Sequence, residues 1–332
     1  MKKVRWGLVS TARINRRFIP AVRESERGEL VAVASRSLEK AQAYAVQWDI
    51  PQAFGSYDAM FASGEVDAVY ISVPNELHAP LSIKALEAGL HVLCEKPFSV
   101  SVENVDAMFA AAQANDRVIA EAFMYRHHPQ CKKIGELIES GKLGEVVSLS
   151  AAFSFPIATD VAEGPRNVRL DSVLGGGAVW DVGVYPISLA QFVMGGTPTH
   201  VWGQQRVQFG IDMDFAGQMV YENGRTAQFT CSFDTAFQTR AEIRGTQGRI
   251  ELTRPFTGPH DPEGSMMFFP RQGDAEKIDF DYEYLYLGEV NDMHAAILDG
   301  KPNYLTADET RNHIRTALAL YQSAQENRII TL

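Results

Sequence analysis

The feature that most constrains this chain is a repeated alternation over its first 123 residues. Short, almost wholly apolar runs rich in Val and Ala alternate with amphipathic stretches. The apolar runs fall at 4–9, 30–34, 68–72, 91–94 and 118–122, and helical spacing predicts helices over 11–24, 37–48, 56–63, 78–88 and 101–115. Strands with so little polar alternation are buried on both faces, as in a parallel sheet covered by helices. Strand–helix–strand repeats give right-handed crossovers and hence a doubly wound, Rossmann-type sheet. Ser37 is a natural cap for its helix and Gly89 a natural stop.

Past Pro129 the pattern changes. A helix is expected over 131–140. Alternating strands follow at 146–155, 201–207, 218–221, 226–233, 242–244 and 249–252, separated by turn signals such as Glu222-Asn223-Gly224. One helical segment is inserted at 178–194 and a last helix covers 307–326. The fold class is therefore α/β plus α+β. Residues 1–123 form a dinucleotide-binding domain, and 124–332 a substrate-binding and dimerisation domain with an open, largely antiparallel sheet. Such a sheet needs cover on its open face, which suggests a homodimer or a dimer of dimers.

Length and charge support this division. A chain of 332 residues suits two cores better than one. A formal net charge of −10 argues against nucleic acid or an anionic membrane as partner, while leaving room for a local phosphate site. Cys94, Cys131 and Cys231 follow no metal or disulfide spacing, and no apolar run suggests a signal peptide or a membrane span. The expected location is cytoplasmic.

The first strand turns into the first helix through Ser10-Thr11-Ala12-Arg13-Ile14-Asn15. The three glycines of a dinucleotide fingerprint would fall on Ser10, Ala12 and Asn15, so all are replaced. From this loop alone, an ordinary strand–helix turn fits as well as a phosphate cradle. The second strand ends in Ser35-Arg36, with Lys40 beyond and no acid at its tip. A hydroxyl and an arginine match a ribose 2′-phosphate better than a free 2′-hydroxyl, which favours NADP, with NAD possible. A solvated surface role for Arg36 stays open.

Two segments, Val73-Pro74-Asn75-Glu76-Leu77-His78 and His91-Val92-Leu93-Cys94-Glu95-Lys96-Pro97, resemble the Gfo/Idh/MocA oxidoreductases. So do Glu121-Ala122-Phe123-Met124-Tyr125-Arg126-His127-His128-Pro129 and the stretch from Gly175 through Asp181 to Tyr185-Pro186. Within that family the chain looks most similar to the NADP-linked pentose dehydrogenases and trans-dihydrodiol dehydrogenases. The resemblance implies a hydride transfer between nicotinamide and a hydroxyl-bearing carbon of a monosaccharide, cyclic polyol or diol. It also implies that Ser72, Pro74, Asn75, His78 and Glu95 line the cofactor, and that Arg126 and Arg169 approach cofactor or substrate.

Lys96 follows a strand whose C-terminal edge is where open α/β sheets bind ligands. A phenol with a pKa of about 10 is a poor base at neutral pH, and a nearby ammonium lowers that value. Tyr185 is thus the expected acid/base and Lys96 its activator, with Lys96 acting directly as the variant. Asp181, four residues before Tyr185, shares its face if one helix holds both, and could take a sugar hydroxyl or the Lys96 ammonium. Pro186 implies a bend there. Glu121, His127 and His128 lack ligand spacing, so no metal is expected. Tyr282, Tyr284 and Tyr286 alternate like a strand face. Two other functions stay open: a non-catalytic NADP-binding sensor, and an NAD-dependent glycosidase of the same family.

Overall fold

The computed structural model describes residues 2–158, 167–257 and 266–332. The chain forms two compact units: Met1–His127 with Tyr284–Thr310, and His128–Glu283 with Arg311–Leu332.

The first unit holds a six-stranded parallel sheet of β1 (Val4–Val9), β2 (Gly28–Ala34), β3 (Gln52–Phe54), β4 (Ala68–Ile71), β5 (His91–Glu95) and β6 (Ile119–Ala122). Their order is β3-β2-β1-β4-β5-β6. The chain leaves β1 toward β2 and β3, then returns to β4 on the other side. The carboxyl ends of β1 and β4 therefore flank the switch point, where such sheets bind ligands. The helices are α1 (Asn15–Glu24), α2 (Leu38–Trp48), α3 (Tyr57–Phe61), α4 (His78–Glu87), α5 (Val102–Ala114) and α6 (Met124–His127). Ser37, Ser56 and Ser101 cap α2, α3 and α5 by accepting from the third residue on.

The second unit holds α7 (Pro129–Glu139), β7 (Val146–Ser154), α8 (Val184–Met194), β8 (His200–Gln208), β9 (Ile211–Val220), β10 (Thr226–Ser232), β11 (Gln238–Gly245), β12 (Gly248–Thr253), β13 (Met266–Pro270), β14 (Glu276–Ile278) and β15 (Ile330–Thr331). The sheet order is β14-β13-β12-β11-β7-β10-β9-β8-β15, and among the described residues only the β7–β10 pair is parallel. On β9 the buried residues Met213, Phe215 and Met219 alternate with half-buried Asp214, Ala216 and Gln218, so one face is core and the other polar.

The structure corrects several expectations. The second domain does not run unbroken from 124 to 332, because Tyr284–Thr310 belongs to the first unit. That segment carries α9 (Leu287–Asp299), which sequence reading missed. It is bound in by the fully buried Trp6, whose indole donates to His294 Nε2 at 2.9 Å, and by Ser25, which donates to Asn291 at 2.7 Å. Tyr282, Tyr284 and Tyr286 form no strand: Tyr282 is exposed, Tyr286 is buried, and the chain turns into α9. At the place where a bend was expected from Pro186, a π-helical turn at Val179–Gly183 runs directly into α8. Pro186 is the third residue of α8 and has no N–H to continue the hydrogen-bond ladder from the π-helical turn before it. Contrary to expectation, one stretch, Ser172–Met194, does reach the length and apolarity of a membrane span, and 78% of its most apolar window is buried inside the protein. The last helix, α10, spans Ala307–Glu326.

Candidate functional site

At the switch point in the first unit, Ser10 takes φ +119°, a conformation side chains seldom adopt. Its hydroxyl compensates. Ser10 Oγ accepts from Ala12 N–H at 3.1 Å and lies 2.9 Å from Ser72 Oγ at the end of β4. Asn15, fully buried at the third glycine position, ties both strand ends together. Its amide donates to the Ser10 carbonyl at 2.8 Å, and its Oδ1 accepts from Ser72 Oγ at 2.7 Å. A hydrogen-bonded Ser–Asn–Ser clasp thus stands where glycines would otherwise shape the turn.

The clasp leaves donors over. The N–H groups of Asn15, Arg16 and Arg17 bond to the carbonyls of Ala12, Arg13 and Ile14. Those of Thr11, Arg13 and Ile14 take no acceptor among the described residues. Free amides at a helix start favour an anion, and Arg13, Arg16 and Arg17 add positive charge there. At the end of β2, Ser35 Oγ accepts from Ser37 N–H at 3.5 Å. Arg36 is exposed and makes no ion pair with another described residue; Lys40, also exposed, offers its backbone N–H to the Ser37 cap. These residues fit a dinucleotide pyrophosphate and a 2′-phosphate.

Beyond β4, Pro74 and Asn75 open a short 3₁₀ turn, Asn75–Leu77, that runs into His78. His78 is buried and faces a backbone carbonyl with each ring nitrogen: Pro97 O at 2.8 Å and Val73 O at 2.9 Å. Burial lowers its pKa. Both edges of the ring are spent on tying the Val73 loop to the Lys96-Pro97 turn. Lys96 is half-buried just past β5, and Lys96–Pro97 is a cis peptide. The Glu95 carboxylate accepts from Tyr70 Oη and, at 3.1 Å, from Lys96 N–H. Behind it lies fully buried Glu289, which burial and the nearby Glu95 hold protonated far above the usual carboxylate range. Glu121 secures the far side of the turn, accepting from Phe98 N–H at 3.0 Å and Thr310 Oγ1 at 3.1 Å.

Arg126 is buried on α6 and donates to Glu309 at 3.1 Å. Burial alone would raise the Glu309 pKa, but Arg126 and the Thr306 amide and hydroxyl together outweigh it and the carboxyl titrates below its ordinary value. His127 meets Asp292 at 2.6 Å, and His128 contacts the Glu283 carbonyl at 3.1 Å, so each histidine has its own separate partner.

In the second unit, the run Gly175-Gly176-Gly177 leads into the π-helical turn. Gly177 has φ +134°, and a Cβ there would lie 2.2 Å from Asp212 Oδ1. Asp181, mostly buried in the turn, pairs with half-exposed Arg169 at 2.7 Å. Tyr185, the second residue of α8, is buried with its ring edge-on to Phe153 at 5.3 Å and against Phe256 at 5.6 Å. Asn15, Asp212 and Tyr321 escaped sequence reading as site residues, and Glu121 entered it only as a metal ligand that its spacing argued against. Only Asn15 carried a local signal, its place in the fingerprint.

Comparison with known proteins decides the family. Residues 4–123 match the oxidoreductase family with an NAD-binding Rossmann fold, and residues 131–251 match the GFO/IDH/MocA C-terminal domain. A D-xylose 1-dehydrogenase (NADP(+)) of Haloferax volcanii is 36% identical over 98% of this chain and 99% of its own. This chain belongs to the Gfo/Idh/MocA oxidoreductases. Another relative in the family is a dTDP-3,4-didehydro-2,6-dideoxy-alpha-D-glucose 3-reductase of Actinomadura kijaniata, 30% identical over 93% of this chain and 92% of its own. A solved 3-ketoreductase from Actinomadura kijaniata, in complex with NADP and TDP-benzene, superposes with a TM-score of 0.89 at 27% identity, covering 97% of this chain and 98% of its own. This Gfo/Idh/MocA member therefore shares both fold and family with named dehydrogenases and reductases.

Proposed function

We propose that the chain is an NADP-dependent oxidoreductase acting on a hydroxyl-bearing carbon of a monosaccharide or of a cyclic polyol or diol. The observation that carries the cofactor choice is the crevice of the first unit. Three amides without acceptors among the described residues stand at the start of α1, and Ser35-Arg36 ends β2 with no acid. The names of the pentose dehydrogenase and the 3-ketoreductase, both with NADP, support the same choice.

Bound NADP supplies the hydride acceptor, or as NADPH the donor. The chain supplies the rest. Thr11, Arg13 and Ile14 N–H hold the pyrophosphate, and Ser35 with Arg36 the 2′-phosphate. Ser72, Pro74 and Asn75 border the nicotinamide ribose. Tyr185 Oη takes the hydroxyl proton, while the Lys96 ammonium favours the phenolate and orients the hydroxyl. Asp181, held by Arg169, receives a second sugar hydroxyl. In reduction, Tyr185 returns the proton. A second copy of the chain covers the polar face of the nine-stranded sheet.

The test is Lys96→Ala and Tyr185→Phe, each assayed for turnover and for NADP affinity. Turnover falls by about 10² or more in both, with affinity kept. Near-normal turnover in both variants overturns the reading. Loss in Lys96→Ala alone reassigns the proton transfer to Lys96.

A further inference from the structure

We infer that Asp212 and Tyr321 form a positioning pair that fixes the start of the helix carrying Asp181 and Tyr185. The inference rests on the roles proposed for those two residues.

Asp212 lies on β9 and is buried, 3% exposed. Its Oδ2 accepts from Val179 N–H at 2.7 Å, and its Oδ1 from Tyr321 Oη at 2.6 Å. The nearby amides of Ala178 and of Asp212 itself also favour the charged form. Every partner is a donor, so the anion is satisfied at a helix start, where the dipole also favours it. Tyr321 is half-buried, with its ring against Trp180 at 5.5 Å and edge-on to Phe215 at 5.7 Å.

The loop before the helix joins the same frame. Gly177 N–H bonds to Arg169 O at 3.0 Å, and Arg169 Nε holds Asp181 at 2.7 Å. Gly176 has no room for a side chain, since a Cβ would lie 2.5 Å from Arg169 O. Thus β9, α10, the Arg169 loop and the glycine run together define where the π-helical turn begins, two residues before Asp181 and six before Tyr185.

A helix start alone does not call for this. An exposed Ser or Asn would cap it, whereas burying a carboxylate carries a desolvation cost. Burial pushes the Asp212 pKa up to about 6 despite its donors, so at neutral pH the protein keeps a costly anion in place. That cost is understandable where two side chains must meet a reacting carbon in one geometry.

Asp212→Asn and Tyr321→Phe test the pair in the full chain. Hydrogen exchange at residues 178–185 is expected to speed up by about tenfold or more in Asp212→Asn, because the Val179 clamp is weakened. Unchanged exchange overturns the proposal. With a sugar that the parent enzyme oxidises, kcat per NADP-binding site falls about tenfold or more in both variants, while NADP Kd stays within about twofold. At about pH 8 the melting temperature of Asp212→Asn does not drop, because a buried charge has been removed. Parent-like kcat overturns the proposal, as does a kcat loss that merely follows a fall in melting temperature. If the parent enzyme oxidises no sugar, the functional reading fails, and the exchange measurement still decides the pair.

Discussion

Removing the Arg36 side chain weakens NADP without touching NAD. Arg36 ends β2 exposed and has no acidic partner among the described residues, so no internal ion pair must break for it to meet a phosphate. A hydrogen bond to a charged group contributes about 1.5–3 kcal/mol. Because Arg36 is open to water and salt, the lower end applies, about 1.5–2 kcal/mol, or roughly a 10–30-fold rise in NADP Kd. The assay is a titration of Arg36→Ala with NADP and with NAD at two salt concentrations. The NADP penalty shrinks as salt rises, and NAD binding changes by less than about twofold. Equal weakening of both nucleotides, or an unchanged NADP Kd, refutes the idea that Arg36 holds a 2′-phosphate.

Burial lowers the His294 pKa to about 4, so its neutral form accepts from Trp6 in the folded state. Stability from this group is full above the unfolded pKa near 6.5 and is lost toward pH 4, by about 3 kcal/mol; His294→Gln should flatten the urea-stability curve over that window, and an unchanged curve contradicts this. Asp212 acts with the opposite sign between its ordinary 3.8 and about 6, so each variant is compared with the parent at every pH. Gly177→Ala would drive a Cβ to 2.2 Å from Asp212 Oδ1 at a positive φ, and urea unfolding should show a loss of about 3 kcal/mol; less than about 1 kcal/mol speaks against the packed frame. Light scattering at micromolar protein should give at least twice the 36.7 kDa chain mass, and a monomer rules out the covered sheet face.

The parallel sheet was readable because each of its longer strands is a run of apolar residues with its own boundary signals, such as Ser37 and Ser101. The Ser10–Asn15 turn was readable as a position, but its clasp was not. Ser72 lies 57 residues from Asn15, and no local pattern links them. Asp212 and Tyr321 are 109 residues apart and look like an ordinary strand acid and helix tyrosine until β9 and α10 meet. The tyrosines at 282–286 misled because alternation over five residues is too short to outweigh the tertiary pull of α9 on the first unit. Nor does sequence announce the π-helical turn, since Pro186 marks an irregularity without placing it.

The proposed reaction is hydride transfer with a sugar-like hydroxyl. Its most direct measurement is reduced-nicotinamide absorbance when the purified chain meets NADP, or NAD, with a panel of pentoses, hexoses and cyclic diols. Net reduction is expected with at least one of them, faster with NADP. Tight binding of the nucleotide with no net reduction by any of them would contradict it and point to the sensor or the glycosidase.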